Sequence, residues 1–184
     1  MIKGKYLCVY CGASERVNPQ YYKAAEDFGK LIATNGFNMV YGGGRFGLMG
    51  RVSNAVIANG GHVIGITTHQ LDNREGVQDG LDQVFVVDTM HTRKHQMAQQ
   101  ADAFVIMPGG FGTLDEFFEI FTWRQLNIHQ KPIILANIDG YWDPLVSLFH
   151  HIINEDFARK EHEQFLHIES TLEGVIETAK KLLG

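Results

Sequence analysis

The sequence predicts an α/β fold of the Rossmann-like, three-layer kind: a mostly parallel central sheet with helices on both faces. Two observations lead there. Short apolar runs rich in valine and isoleucine alternate along the chain with longer runs of helical period, the pattern of strand–helix–strand units around a buried parallel sheet. Glycine-rich stretches follow two of the strand runs, at the sheet edge where such folds bind ligands.

In chain order, the first strand is expected at 5–10 (KYLCVY) and a helix at 20–35. A strand at 38–41 (NMVY) runs into YGGGRFGLMG and a helix at 47–59. The run HVIGIT, 62–67, is the third strand. The stretch 68–82, THQLDNREGVQDGLD, is polar, carries Gly76 and Gly80, and reads as an irregular loop able to line or cover a site. A strand at 83–87 (QVFVV) precedes a helix at 90–101, whose stripe is marked by Met90, Met97, Ala98 and Ala101. The run AFVIM, 103–107, stops at Pro108, and a helix is expected over 114–127. The series closes with PIILA (132–136), a helix at 142–155, FLHI (165–168) and a helix at 170–183. No repeat, low-complexity tract or linker interrupts it, so residues 1–184 are expected to form one domain.

Composition excludes several classes. The chain has 45% hydrophobic and 20% charged residues and a net charge of −5, an ordinary globular balance that allows a proper core. No basic face appears, which argues against nucleic acid as a partner. Charges or glycines break every apolar run before it reaches membrane-spanning length. The opening MIKGKYLCVYCG is too short in its apolar part for a secretory signal, so a cytoplasmic protein is expected. Cys8 and Cys11 are spaced C-x-x-C, but Cys8 lies inside a strand run and residues three apart on a strand face opposite ways. Buried thiols are favoured over a redox pair or a zinc site.

Two glycine stretches suggest phosphate cradles. Gly42, Gly44 and Gly47 form G-x-G-x-x-G between a strand and a helix, a pattern that lets backbone N–H groups approach an anion. A dinucleotide site is disfavoured, because the next strand ends in Thr67-Thr68 rather than an acidic residue and the loop follows the second strand. Glycines that only let the helix pack on the sheet are the plain alternative. The second stretch, PGGFGT at 108–113, also precedes a helix. Together they suit a ligand with one phosphate, a mononucleotide or sugar phosphate.

Glu116 has two readings. Thr113-Leu114-Asp115-Glu116 fits a capping box, with Thr113 as N-cap and Glu116 reaching back, and first-turn acids also suit the helix dipole. Alternatively, a carboxylate one turn from a bound phosphate can stabilise the positive charge that builds at a sugar C1 during glycosidic cleavage, or activate the attacking water. MHTRK at 90–94 offers matching cations. Lys94 falls on the apolar stripe and Arg93 about 100° round from it, so one can lie against the protein and the other point into a cleft. A solvated basic turn remains the alternative. His91 and His95, spaced i, i+4, lack a third metal ligand.

With PGGFGTLDE and MHTRK in place, together with VYCGAS, VYGGGRFGLMG, GGHVIGI, ADAFVIMPGG and TWRQLNIHQKPIILANIDGYWD, the chain resembles the Lonely guy (LOG) family of cytokinin riboside 5′-monophosphate phosphoribohydrolases, formerly labelled possible lysine decarboxylases. The resemblance implies hydrolysis of the N-glycosidic bond of an adenosine-type nucleoside 5′-monophosphate, without cofactor or metal, in a homodimer or higher homo-oligomer whose site lies near the subunit interface. It implies Arg93 and Glu116 as the catalytic pair. Lys94, Gly110, Phe111, Gly112, Thr113, Leu114 and Asp115 match the substrate-binding stretches, with Glu75 and Thr122 as further contacts. Backbone N–H groups of Gly110 to Thr113, joined by the loop of Gly43, Gly44 and Gly47, are expected to hold the phosphate. Ala13, Thr92, Asp115 and GITTHQL depart from the family pattern and leave substrate preference open. Two rivals stand beside this reading: a carrier that binds a nucleotide or molybdenum cofactor without turnover, and a lysine decarboxylase, which would need a pyridoxal-binding lysine.

Overall fold

The computed structural model describes residues 4–184. Seven strands, β1 (Tyr6–Tyr10), β2 (Asn38–Tyr41), β3 (Val63–Thr68), β4 (Gln83–Val87), β5 (Ala103–Ile106), β6 (Ile133–Ala136) and β7 (Leu166–Glu169), alternate with α1 (Pro19–Thr34), α2 (Gly47–Ala58), α3 (His69–Glu75), α4 (Met90–Gln100), α5 (Phe111–Gln125), α6 (Asp143–Asn154) and α7 (Leu172–Leu183). Short 3-10 turns cover Ile138–Gly140 and Lys160–Phe165. All seven strands run parallel, in the order β4-β3-β2-β1-β5-β6-β7. The chain builds outward from β1 to β4, returns to place β5 on the other flank of β1, and builds outward again. The turning point between β1 and β5 is where an open α/β sheet leaves a crevice at its carboxyl edge.

The strands alternate between two cores. Leu7, Val9 and Cys11 pack with Phe28 and Ile32 of α1, Val52 and Val56 of α2, and Val175 and Ile176 of α7. Cys8 and Tyr10 face the other layer, with Met97 of α4, Phe117 and Phe121 of α5, and Leu145 of α6. Cys8 and Cys11 therefore lie on opposite faces, both free and buried, and burial pushes both thiols far above their ordinary range. That environment suits inert thiols, as the strand periodicity predicts.

Two expectations need correction. The stretch 68–82 is not wholly irregular: it opens with α3, capped by Thr68, whose hydroxyl accepts from the Leu71 N–H. None of the residues of α3 is fully buried, so no apolar stripe announces it; the cap and the chain beyond it supply the order. Past Gly76, Gln78 N–H donates to Gly43 O at 2.9 Å and Val77 bridges Gly44, which ties the segment to the first glycine loop. The second correction concerns α5. It starts at Phe111, three residues before 114, with Gly110 as an N-cap that makes no side-chain bond. Thr113 thus lies inside the first turn, its side chain buried against Gly109, and Glu116 lies in the second turn. The capping box does not form.

Candidate active site

A cavity of about 510 Å³ opens at the carboxyl edge of the sheet, at the turning point. Four stretches distant in the sequence reach it: Cys11–Ser14 after β1, Gly42 and Gly44 after β2, Met90 and Arg93 on α4, and Pro108–Gly110, Gly112 and Thr113 at the start of α5. Leu71, Glu75 and Gly76 close one side, so the 68–82 segment does line the site.

Arg93 enters from the first turn of α4, which Thr89 caps by accepting from Thr92 N–H. Its side chain is 7% exposed. Nε donates to Ile66 O at 2.9 Å, Nη2 to Gly42 O at 3.2 Å, and Nη1 to Glu116 Oε1 at 3.4 Å. Two backbone carbonyls, one within β3 and one just past β2, and one carboxylate surround the guanidinium. Glu116 is 14% exposed at its side chain and lines the cavity. Burial pushes its carboxyl up to about 7; the Arg93 charge opposes the rise and Asp115 adds to it. A carboxyl raised this far toward neutrality suits a group that takes or gives a proton.

Lys94 does the other half of what the helical geometry predicts. It is buried away from the cavity and bonds Asp115 Oδ2 at 3.0 Å and Glu119 Oε1 at 3.1 Å. Asp115, whose side chain also borders the cavity, is thereby explained as a partner of Lys94.

The two glycine stretches have different reasons to be glycine. A side chain at Gly42 would collide with the Arg93 guanidinium, and one at Gly44 would crowd Met49. Gly47, at φ +58°, would drive a Cβ to 2.5 Å from the backbone of Ala13. Gly43 (φ +76°) and Gly47 do not line the cavity. Gly110 and Gly112 face open space. The N–H groups of Phe111, Gly112 and Thr113 begin a helix and have no intrahelical acceptor, so this second stretch is the better anion cradle. Phe111 is 92% exposed and Thr122 is exposed, both off the cavity wall. Leu114 packs into the α5 core.

Comparison with known proteins decides the relationship. The family described as "Possible lysine decarboxylase" matches residues 49–179. Over 160 residues the chain is 43% identical to the cytokinin riboside 5'-monophosphate phosphoribohydrolase LOG of Oryza sativa subsp. japonica, across 87% of this chain and 66% of that protein. The chain belongs to the LOG family. A LOG relative of Arabidopsis thaliana, LOG3, is 45% identical over 159 residues, 85% of this chain and 74% of its own length. The chain spans just under two thirds of the rice relatives LOG and LOGL5, 66% and 62%. Among solved structures, the molybdenum cofactor binding protein of Rippkaea orientalis superposes with a TM-score of 0.76 at 26% identity, covering 100% of both chains. The molybdenum cofactor carrier protein of Chlamydomonas reinhardtii, 21% identical with a TM-score of 0.75 over 98% of this chain and 99% of its own, shares the fold.

The older label of the LOG family does not suit this cavity. Among the described residues no lysine lines it, so a pyridoxal cofactor would find no amine for its Schiff base. Two residues in or behind this cavity escaped the sequence pattern: Tyr141, on its wall, and Glu119, a partner of Lys94. Glu119 carried a usable signal, its i, i+4 spacing from Asp115. Tyr141 carried none: it reaches the cavity from a turn beyond β6.

Proposed function

We propose that this protein hydrolyses the N-glycosidic bond of adenosine-type nucleoside 5′-monophosphates, AMP or its N6-modified cytokinin counterparts, to free base and ribose 5-phosphate. One juxtaposition carries the proposal. A helix start with free N–H groups and a buried carboxylate ionising near neutrality share one cavity, with Arg93 behind the carboxylate. The names of the relatives at 43% and 45% identity support it.

The N–H groups of Gly110 to Thr113 hold the phosphate, which sets the ribose against Glu116. Glu116 as carboxylate offsets the charge that grows on C1′ as the bond to the base lengthens, or takes a proton from the water that attacks there. The water oxygen bonds C1′, the electron pair of the broken bond leaves with the base, and the proton that the water loses, through Glu116 or solvent, ends on the base. Arg93, held by Ile66 O and Gly42 O, orients Glu116 rather than the leaving group. Met49, Leu71, Met90 and Met97 give the cavity apolar wall for the base and any N6 substituent. The 510 Å³ volume lies within the ~300–1,000 Å³ usual for ligand sites.

The test is release of adenine from AMP, and of base from isopentenyl-AMP, by wild type, Glu116→Gln and Arg93→Ala. Wild-type turnover with both variants reduced at least a hundredfold is expected; near-normal turnover by Glu116→Gln overturns the role of Glu116. The likeness to the Rippkaea orientalis protein favours a second reading, a cofactor or nucleotide carrier. Binding of AMP without release of adenine would establish it.

The working unit is a homodimer or a larger homo-oligomer. Phe118 on α5, with Leu126 and Ile128 just beyond it, leaves apolar surface exposed, and a second copy would cover it. Thr122, on the same exposed side of α5 and off its own chain's cavity, can touch substrate only across such an interface. Phe118→Asp should shift sedimentation toward the monomer. Among the described residues no helix is long and apolar enough to cross a membrane, and two unpaired buried thiols suit the reducing cytoplasm.

A further inference from the structure

We propose that Tyr141 is a positioning residue: its hydroxyl fixes the peptide plane that leads into the 110–113 cradle and thereby the cradle's hold on phosphate. The inference rests on the function proposed above.

Tyr141 stands on a turn built to present it. After β6, Asn137 donates its N–H to Glu169 O at 2.8 Å and its Nδ2 to Asp143 Oδ1 at 2.7 Å, and its Oδ1 accepts from Trp142 N–H at 2.7 Å. Between these anchors Asp139 and Gly140 take positive φ, +52° and +68°. A non-glycine residue in that region is strained, so the turn holds its shape against a local cost. The Tyr141 ring is set edge-on to Tyr21 and to Trp142, with centroids 5.4 and 4.7 Å apart.

From there the phenol reaches across to the loop after the neighbouring strand β5. Its Oη donates to Gly109 O at 2.6 Å, a short hydrogen bond. The Gly109–Gly110 peptide is planar and trans, so its C=O and N–H point in opposite directions. Holding the oxygen toward Tyr141 turns the Gly110 N–H the other way. A glycine stands on each side of this peptide, and glycine places little restraint on rotation of the plane. The preceding carbonyl is already fixed, since Pro108 O accepts from Gly12 N–H at 3.0 Å. The Tyr141 hydroxyl is thus the side-chain lock on the one peptide of the loop most free to turn over. With the lock gone, the carbonyl can turn inward and set a partial negative charge where the phosphate binds.

The experiment compares wild type, Tyr141→Phe and Tyr141→Leu. Ribose 5-phosphate binding is read by calorimetry, KM and kcat are measured with AMP, and thermal midpoints are recorded. Loss of one hydrogen bond to the cradle should weaken ribose 5-phosphate binding and raise KM by about tenfold in Tyr141→Phe, with kcat within twofold and an unchanged midpoint. Tyr141→Leu should in addition lose thermal stability through the missing ring but little further affinity. A Tyr141→Phe variant that binds ribose 5-phosphate as wild type does, or loses kcat and stability at constant KM, overturns the inference and leaves the proposed function standing. So does a Tyr141→Leu variant alone in losing affinity, which would make the ring itself a ligand contact. Wild type that neither binds ribose 5-phosphate nor releases adenine overturns both.

Discussion

Arg93 meets Glu116 through a single nitrogen, Nη1, 3.4 Å from Oε1, while its Nε and Nη2 are committed to the carbonyls of Ile66 and Gly42. The guanidinium is fastened to β3 and to the residue just past β2, and the carboxylate is placed with respect to it. A lysine keeps the charge but not the planar fork, and cannot reach two carbonyls and a carboxylate at once. Arg93→Lys should therefore lose turnover by roughly a hundredfold and destabilise the fold by about 2–4 kcal/mol, close to Arg93→Ala. Steady-state kinetics and urea unfolding check both figures. Turnover within threefold of wild type in Arg93→Lys would reduce Arg93 to a charge.

The protonation of Glu116 should be visible in both rate and stability. Its carboxyl is pushed up to about 7 by burial, against the pull of Arg93, and the proposed chemistry needs the carboxylate. The kcat/KM for AMP should climb from pH 5 to a plateau above pH 8, with its midpoint near 7. For stability the sign is opposite. Between about 4.5 and 7 the folded state keeps a proton that the unfolded chain has released, so this contribution is full at low pH and lost as pH rises through 7. Relative to Glu116→Gln, wild type should lose up to about 3 kcal/mol between pH 4.5 and pH 8. Unfolding curves of the two proteins across that range make the measurement; a constant difference would sink it.

The two glycine stretches should respond differently to a methyl group. Gly47→Ala places a Cβ against the Ala13 backbone at a positive φ and should cost about 2 kcal/mol or more, lowering soluble yield and thermal midpoint. Gly112→Ala meets open space and should leave the midpoint within a degree or two while raising KM for AMP. The reverse pattern would move the phosphate to the first loop.

Lys94 is off the cavity, so its loss should be felt in stability before catalysis. Lys94→Met leaves Glu119 partly buried and Asp115 without its partner. Destabilisation of about 1–3 kcal/mol is expected, with kcat reduced less than fivefold. A hundredfold loss of kcat at unchanged stability would give Lys94 a direct part in the reaction.

Strand periodicity located all seven strands, because buried parallel strands write themselves as short Val- and Ile-rich runs. It missed α3, where an exposed seven-residue helix leaves no stripe. In the site, the opposed duties of Arg93 and Lys94 were readable from 100° per residue. The place of Glu116 in the helix was not: Thr113-x-x-Glu116 has the spacing of a cap, and only the true start of α5 at Phe111 rules that cap out. The G-x-G-x-x-G likewise could not announce that its glycines answer to Arg93, Met49 and Ala13. Both failures have one cause: a local motif does not encode which distant side chain comes to lie against it.

The pairing of β1 with β5 joins Leu7 to Ala103, about a hundred residues apart in the chain, and the cavity lies at the carboxyl end of that seam, with Cys11–Ser14 from one side and Pro108–Gly110 from the other. Bringing such remote segments together is slow, so the cavity can exist only once the two halves of the sheet have met. A nucleotide in the solution would find nothing to hold on a half-made chain. Its binding would act as a latch on the finished sheet, adding protection against unfolding in proportion to the logarithm of its concentration, and a molecule well supplied with substrate would outlast one that is starved.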